Sequence, residues 1–153
     1  MLSALRQKPH IYYNSTPIAY KSPINDNVYM AYSKQVLDHF NNPKNVGEMD
    51  EQAPDTGVSI VGAPSCGDVL QFSIKIENDK ITDAKFKAFG CGSAIASSSY
   101  LTEEVIGKTV DQAMEITNSS IAKALALPPI KWHCSVLAEE AVKTAIENYK
   151  KKQ

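Results

Sequence analysis

Two runs of alternating apolar and polar residues, Val69–Ile76 and Ile81–Phe89, flank the tetrapeptide Glu77-Asn78-Asp79-Lys80. A period of two is the signature of a strand, so Leu70, Phe72, Ile74 and Ile76 share one face of the first run while Gln71, Ser73 and Lys75 share the other. In the second run Ala84, Phe86 and Ala88 fall on one face. Turn residues between two such runs make an antiparallel hairpin. Its open end then brings Asp68, which precedes the first strand, beside Phe89-Gly90-Cys91, which follows the second.

The remaining segments supply one more strand and several helices. Val58–Gly62 is apolar and β-branched enough for a strand. Tyr32, Val36, Leu37 and Phe40 form the stripe of a short amphipathic helix that Asn41-Asn42-Pro43 ends. From Ser93 to Ile106 the small residues suit a helix packed closely on a sheet, and Gly107 stops it. Thr109–Met114 and Ser119–Leu125 are short helical candidates with polar residues available as N-caps. After Pro128-Pro129, a helix is expected from Cys134 to Tyr149, with Lys150, Lys151 and Lys152 at the end that favours cations. Strands and helices gathered in this way give an α+β fold.

With 153 residues, one domain is expected, and a net charge of -1 gives no basic field for nucleic acid. No apolar run is long enough to span a membrane. Three cysteines, an odd number and a sparse one, fit a reducing compartment. Residues 1–27 carry Arg6, Lys8 and Lys21 before the first acid, Asp26, and are expected to be an organellar targeting segment, leaving 28–153 as the folded domain.

Each cysteine sits in its own short motif: Gly62-Ala63-Pro64-Ser65-Cys66-Gly67-Asp68, Phe89-Gly90-Cys91-Gly92-Ser93 and Trp132-His133-Cys134. Glycine, an acid and a histidine are poor company for a structural core thiol but suit a metal site. Cys66, Cys91 and Cys134 are candidate thiolate ligands, and thiolates select iron-sulfur clusters, Zn or Cu(I). Asp68 and His133 are the candidates for a fourth position; His10 and His39 have no such company. Cys134 is expected to open the last helix, where terminal amides and an adjacent imidazolium would lower its pKa and make it a nucleophile toward a persulfide. A Cys-His hydrolase would need an orienting third group, and none is evident. Leu127-Pro128-Pro129-Ile130-Lys131 reads as an extended segment that a peptide-binding groove could take, or as a rigid connector between helices.

Four motifs together resemble the IscU-type iron-sulfur cluster assembly scaffolds: Asp38-His39-Phe40 with Asn42-Pro43-Lys44-Asn45-Val46-Gly47; the first cysteine motif; Phe86 through Ser99; and Leu127 through Ser135. The resemblance implies a three-stranded antiparallel sheet packed against several helices, and a non-catalytic scaffold that builds a [2Fe-2S] cluster. It implies that Cys66, Asp68, Cys91, His133 and Cys134 hold Fe(II), the cluster or a resting Zn(II), and that Cys134 accepts the persulfide. The implied partners are a cysteine desulfurase complex, frataxin, a ferredoxin, an Hsp70 with its J-protein, and apo iron-sulfur acceptor proteins. Leu127, Pro128, Pro129, Ile130 and Lys131 match the Hsp70 recognition motif, and Tyr32 matches a tyrosine implicated in weak homodimerisation. The mitochondrial matrix, or a mitochondrion-related organelle, is the implied location. Ile130 stands where Val is usual, and Val136 where Met or Ile is usual. The rival readings are a zinc-dependent sulfurtransferase that relays persulfide without building a cluster, and a structural zinc domain that only docks partners.

Overall fold

The computed structural model describes residues 32–63 and 67–153; the expected targeting segment and Cys66 lie outside the described residues. Three strands, β1 (Thr56–Ala63), β2 (Asp68–Glu77) and β3 (Lys80–Phe89), form an antiparallel sheet in the order β1-β2-β3. The hairpin is in the expected place. Asn78 and Asp79 make its two-residue loop with φ of 52° and 63°, the left-handed pair whose twist matches that of the strands. Val69 pairs with Phe89 at the open end, which sets Asp68 beside Gly90 and Cys91.

One irregularity escapes the alternating pattern. Lys75 pairs with Asp83 but Ile76 pairs with Ile81, so Thr82 is an extra residue on β3. This bulge returns Ile81 to the inner face, and Ile81 and Ala84 are both fully buried despite their odd spacing.

The helices cover the inner face. They are α1 (Lys34–Asn41), α2 (Gly92–Val105), α3 (Val110–Met114), α4 (Asn118–Ala124) and α5 (Trp132–Lys151), with a 3-10 turn, Pro129–Lys131, leading directly into α5. Ser33, Thr109 and Thr117 cap α1, α3 and α4 by accepting the amides of Val36, Gln112 and Ser120. Phe72, Ile74, Phe86, Leu101 and Ile146 meet in the core with no exposure, each burial worth about 2–3 kcal/mol against water.

Close approach decides how α5 lies on the sheet. A Cβ at Gly57 would stand 2.2 Å from the Ala145 carbonyl oxygen, so only glycine lets β1 touch the helix backbone. Ser59 Oγ donates to the Ala141 carbonyl at 2.8 Å, and Asn148 Nδ2 donates to the Val58 carbonyl at 2.8 Å. The small residues of α2 work similarly: Ser93, Ser97, Ser98, Ser99 and Thr102 are all buried. Ser99 Oγ accepts the Lys44 amide at 2.8 Å and lies 2.8 Å from His39 Nδ1, which ties α1 and the following loop to α2.

The last helix differs from expectation. It starts at Trp132, not at Cys134, and the preceding Leu127–Lys131 segment is not extended as a whole: Pro128 is extended, whereas Pro129 opens the 3-10 turn. Proline has no amide to lose at the first position of a helical turn, and its fixed φ suits one. Trp132 and His133 are therefore in register with the helix that carries Cys134.

Candidate metal centre

Asp68 is the first residue of β2, Cys91 the N-cap of α2, and His133 and Cys134 stand in the first turn of α5. The hairpin joins the first two, and the packing of α5 against the sheet brings in the others. One donor atom from each, four in all, lies within 4.8 Å of the others. Cys91 Sγ is 3.5 Å from Cys134 Sγ and 3.6 Å from Asp68 Oδ2. Cys134 Sγ and His133 Nε2 are each 3.9 Å from the same carboxylate oxygen. Donors around one tetrahedral ion at ordinary zinc distances stand about 3.4–3.8 Å apart, so little rearrangement separates this set from a coordination shell.

Second contacts aim each donor. Asp68, only 2% exposed, accepts the Cys91 amide on Oδ1 at 3.1 Å, which leaves Oδ2 facing the sulfurs. A Cβ at Gly90 would lie 2.0 Å from that Oδ1, so the carboxylate occupies space that only glycine leaves open. His133 Nδ1 donates to the Ile130 carbonyl at 3.1 Å, and Nε2 is buried without a hydrogen-bond partner. An imidazole whose far nitrogen is tied to a carbonyl and whose near nitrogen is buried and unpartnered is set up as a metal ligand.

The two thiols shift in opposite directions. Cys91 is brought down to about 6 by the hydrogen bond it receives from Cys134, helped by the Ala94 amide and Lys131 and opposed by burial and Asp68. Cys134 is pushed far up because it is that donor, is buried, and faces the Cys91 thiolate and Asp68. The expectation that Cys134 opens the last helix and has a lowered pKa is thus corrected: the helix starts at Trp132 and the Cys134 pKa is raised. Both thiols stand at a helix N-terminus, but an amide, that of Ala94, lowers the pKa only at Cys91, the N-cap of α2.

Of the expected ligands, Asp68, Cys91, His133 and Cys134 come together and Cys66 lies outside the described residues. His39 is engaged with Ser99 and stands apart from the clustered donors. Tyr32, expected at a dimer contact, accepts a hydrogen bond from Ser93 Oγ at 3.1 Å at the start of α2. Lys131, read as part of a peptide motif, also lies near these donors: burial opposes its charge, but its electrostatic interactions with Cys91, Tyr32, Cys134 and Asp68 outweigh burial and raise its pKa. The roles that sequence reasoning missed are those of Gly90, which leaves room for the Asp68 carboxylate, and of the Ile130 carbonyl, which orients His133.

The family profile for the NifU-like N terminal domain matches residues 31–153. The iron-sulfur cluster assembly scaffold protein IscU of Rickettsia prowazekii is 58% identical over 125 residues, covering 81% of this chain and 95% of that protein. The chain is an IscU-type member of the NifU-like family. A second IscU-type relative, the mitochondrial iron sulfur cluster assembly protein 1 of Schizosaccharomyces pombe, is 56% identical over 123 residues, covering 80% of this chain and 64% of that one. The crystal structure of a NifU-like N-terminal domain from Brucella abortus shares the fold, with a TM-score of 0.66 at 21% identity over 79% of this chain and 95% of that chain. No helix among the described residues is long and apolar enough to cross a membrane.

Proposed function

We propose that this chain is a scaffold on which a [2Fe-2S] cluster is built as cargo and then handed on, and that it acts without catalytic turnover of its own. The observation that carries the reading is the converged set of two thiols, one carboxylate and one imidazole, with His133 Nε2 buried and unpartnered toward it. Two soft and two harder donors hold iron less tenaciously than four thiolates would. A scaffold requires that weakness, since it must release what it assembles. Cys66, two residues before Asp68 begins β2, is assigned as a third thiolate from the family motif.

Cys134 is the proposed persulfide acceptor. Its contact with Cys91 and its burial raise its pKa in the metal-free protein, and coordination of Fe(II) or a resting Zn(II) by the donor set would ionise it. Cys134 Sγ then attacks the terminal sulfur of a desulfurase persulfide; the new S–S bond forms on Cys134, the old one breaks, and the donor cysteine leaves as thiolate. Two electrons from a ferredoxin cleave the new bond, leaving sulfide and the Cys134 thiolate. Frataxin would assist the sulfur step. An Hsp70 with its J-protein, recognising Leu127–Lys131, would promote transfer to apo acceptor proteins. Tyr32 would contribute to a weak homodimer of loaded subunits. A mitochondrial matrix location, with residues 1–27 as the targeting segment, rests on the family resemblance and on relatives that carry the mitochondrial name.

The test is anaerobic reconstitution with Fe(II), cysteine and a cysteine desulfurase, read by visible absorption and Mössbauer spectroscopy, with Cys134→Ser in parallel. A chelator-labile [2Fe-2S] spectrum that transfers to an apo-ferredoxin, and fails in the variant, is the expected result. Bound Zn with a Cys134 persulfide and no cluster would overturn it in favour of a sulfurtransferase.

A further inference from the structure

Every main-chain carbonyl from Leu127 to Ile130 is already engaged. Leu127 O accepts the Trp132 indole N–H at 3.0 Å, Pro128 O accepts the Lys131 amide at 2.8 Å, and Pro129 O accepts the Trp132 amide. Ile130 O accepts the His133 ring at 3.1 Å. The Leu127 amide donates to Ala122 O at 2.9 Å, and its side chain is 6% exposed. Pro129 and Ile130 are the exposed residues of the segment, Ile130 at 80%. A groove that takes an extended strand reads free main-chain groups and alternate side chains. The folded turn offers it neither, so this form cannot be the one that binds.

The fastenings differ in kind. Those of Pro128 and Pro129 are the turn's own, and that of Ile130 belongs to a clustered donor. The Trp132 indole is a side-chain strap that spans the whole segment and is outside the donor set. The turn is also entered through Ala126 at φ 47°, a left-handed conformation disfavoured for any residue with a Cβ.

We propose that Trp132 is a latch: its indole N–H holds Leu127–Lys131 folded and thereby sets the affinity of any partner that reads the segment extended. This rests on the reading of that segment as a chaperone-recognition element and adds its control. Apparent affinity scales with the open fraction. Loss of one neutral hydrogen bond raises that fraction about fivefold.

The experiment uses the full chain and Trp132→Phe, which keeps an aromatic ring and removes the N–H. Amide hydrogen exchange at Lys131 and Trp132 should quicken about fivefold in the variant. Binding to an Hsp70 chaperone in its ADP state, followed by fluorescence anisotropy, should tighten by a similar factor, while free peptides covering 126–132 with Trp or Phe bind alike. Unchanged exchange overturns the latch. Faster exchange with unchanged full-chain affinity, when the peptides do bind, overturns the control of recognition. Peptides that fail to bind overturn the recognition reading and the control with it, and the exchange rates still decide whether Trp132 holds the turn.

Discussion

Replacing Gly90 with alanine should damage the metal centre more than the fold. The added Cβ would fall 2.0 Å from Asp68 Oδ1 and 2.6 Å from its Cγ, so the carboxylate must move by about 1 Å or more. That shift breaks the 3.1 Å bond from the Cys91 amide and draws Oδ2 away from both sulfurs. A hydrogen bond to a charged acceptor contributes about 1.5–3 kcal/mol, which sets the expected loss in a urea melt of the metal-free protein. Displacing one donor and its orienting contact should weaken metal binding by about 10–100-fold. Co(II) titration followed through the thiolate-to-metal absorption measures this directly. Gly57→Ala is the contrast: its Cβ collides with the Ala145 carbonyl at 2.2 Å, on the contact between β1 and α5, so its principal effect should be a lower urea midpoint. Parental Co(II) affinity in Gly90→Ala would refute the argument, because the carboxylate would then be neither held by Gly90 nor needed as a donor.

Four further outcomes are expected. In the metal-free protein iodoacetamide should modify Cys91 before Cys134, with the Cys91 rate rising through about pH 6 as its thiolate forms; peptide mapping that finds Cys134 first would count against the proton assignment. Burial lowers the His39 pKa, with Glu103 opposing, so as pH falls below 6.5 the unfolded chain takes up the proton first. Stability should therefore fall from that point and level off below the folded-state pKa, and His39→Gln should flatten the slope in urea melts. Ala126→Gly should raise the melting midpoint by relieving the left-handed strain, worth about 1 kcal/mol; a lower midpoint would mean that the strain is not stored there. Asp68→Ala should lengthen the lifetime of an assembled cluster and slow its transfer to an apo-ferredoxin, and equal transfer rates would remove Asp68 from the release step.

Local patterns were legible wherever one residue's neighbours in sequence decide its conformation. The alternation of Leu70, Phe72 and Ile74, the turn chemistry of Asn78-Asp79, the polar caps ahead of the two short helices, and the stop at Gly107 are all short-range effects, and the sheet and helices follow them. The Thr82 bulge was hidden because its evidence is the pairing of β3 with β2, not the composition of β3. The 3-10 turn was hidden for a related reason: two prolines are compatible with extended or helical-turn geometry, and the hydrogen bonds from Lys131 and Trp132 choose between them.

At the centre itself, the sequence determined which atoms are available: soft sulfurs, one carboxylate and one imidazole, in motifs too polar for a core. It also determined that Asp68 and Cys91 meet, because a hairpin closes on its own ends. Tertiary structure alone decided that α5 lies across the sheet at the depth set by Gly57, and so carries His133 and Cys134 to within bonding range of the other two. It alone decided which thiol is the more acidic, because a thiol's acidity depends on burial, on neighbouring charge and on which helix amides point at it. Those are properties of the assembled fold, and they lower the Cys91 pKa and raise that of Cys134.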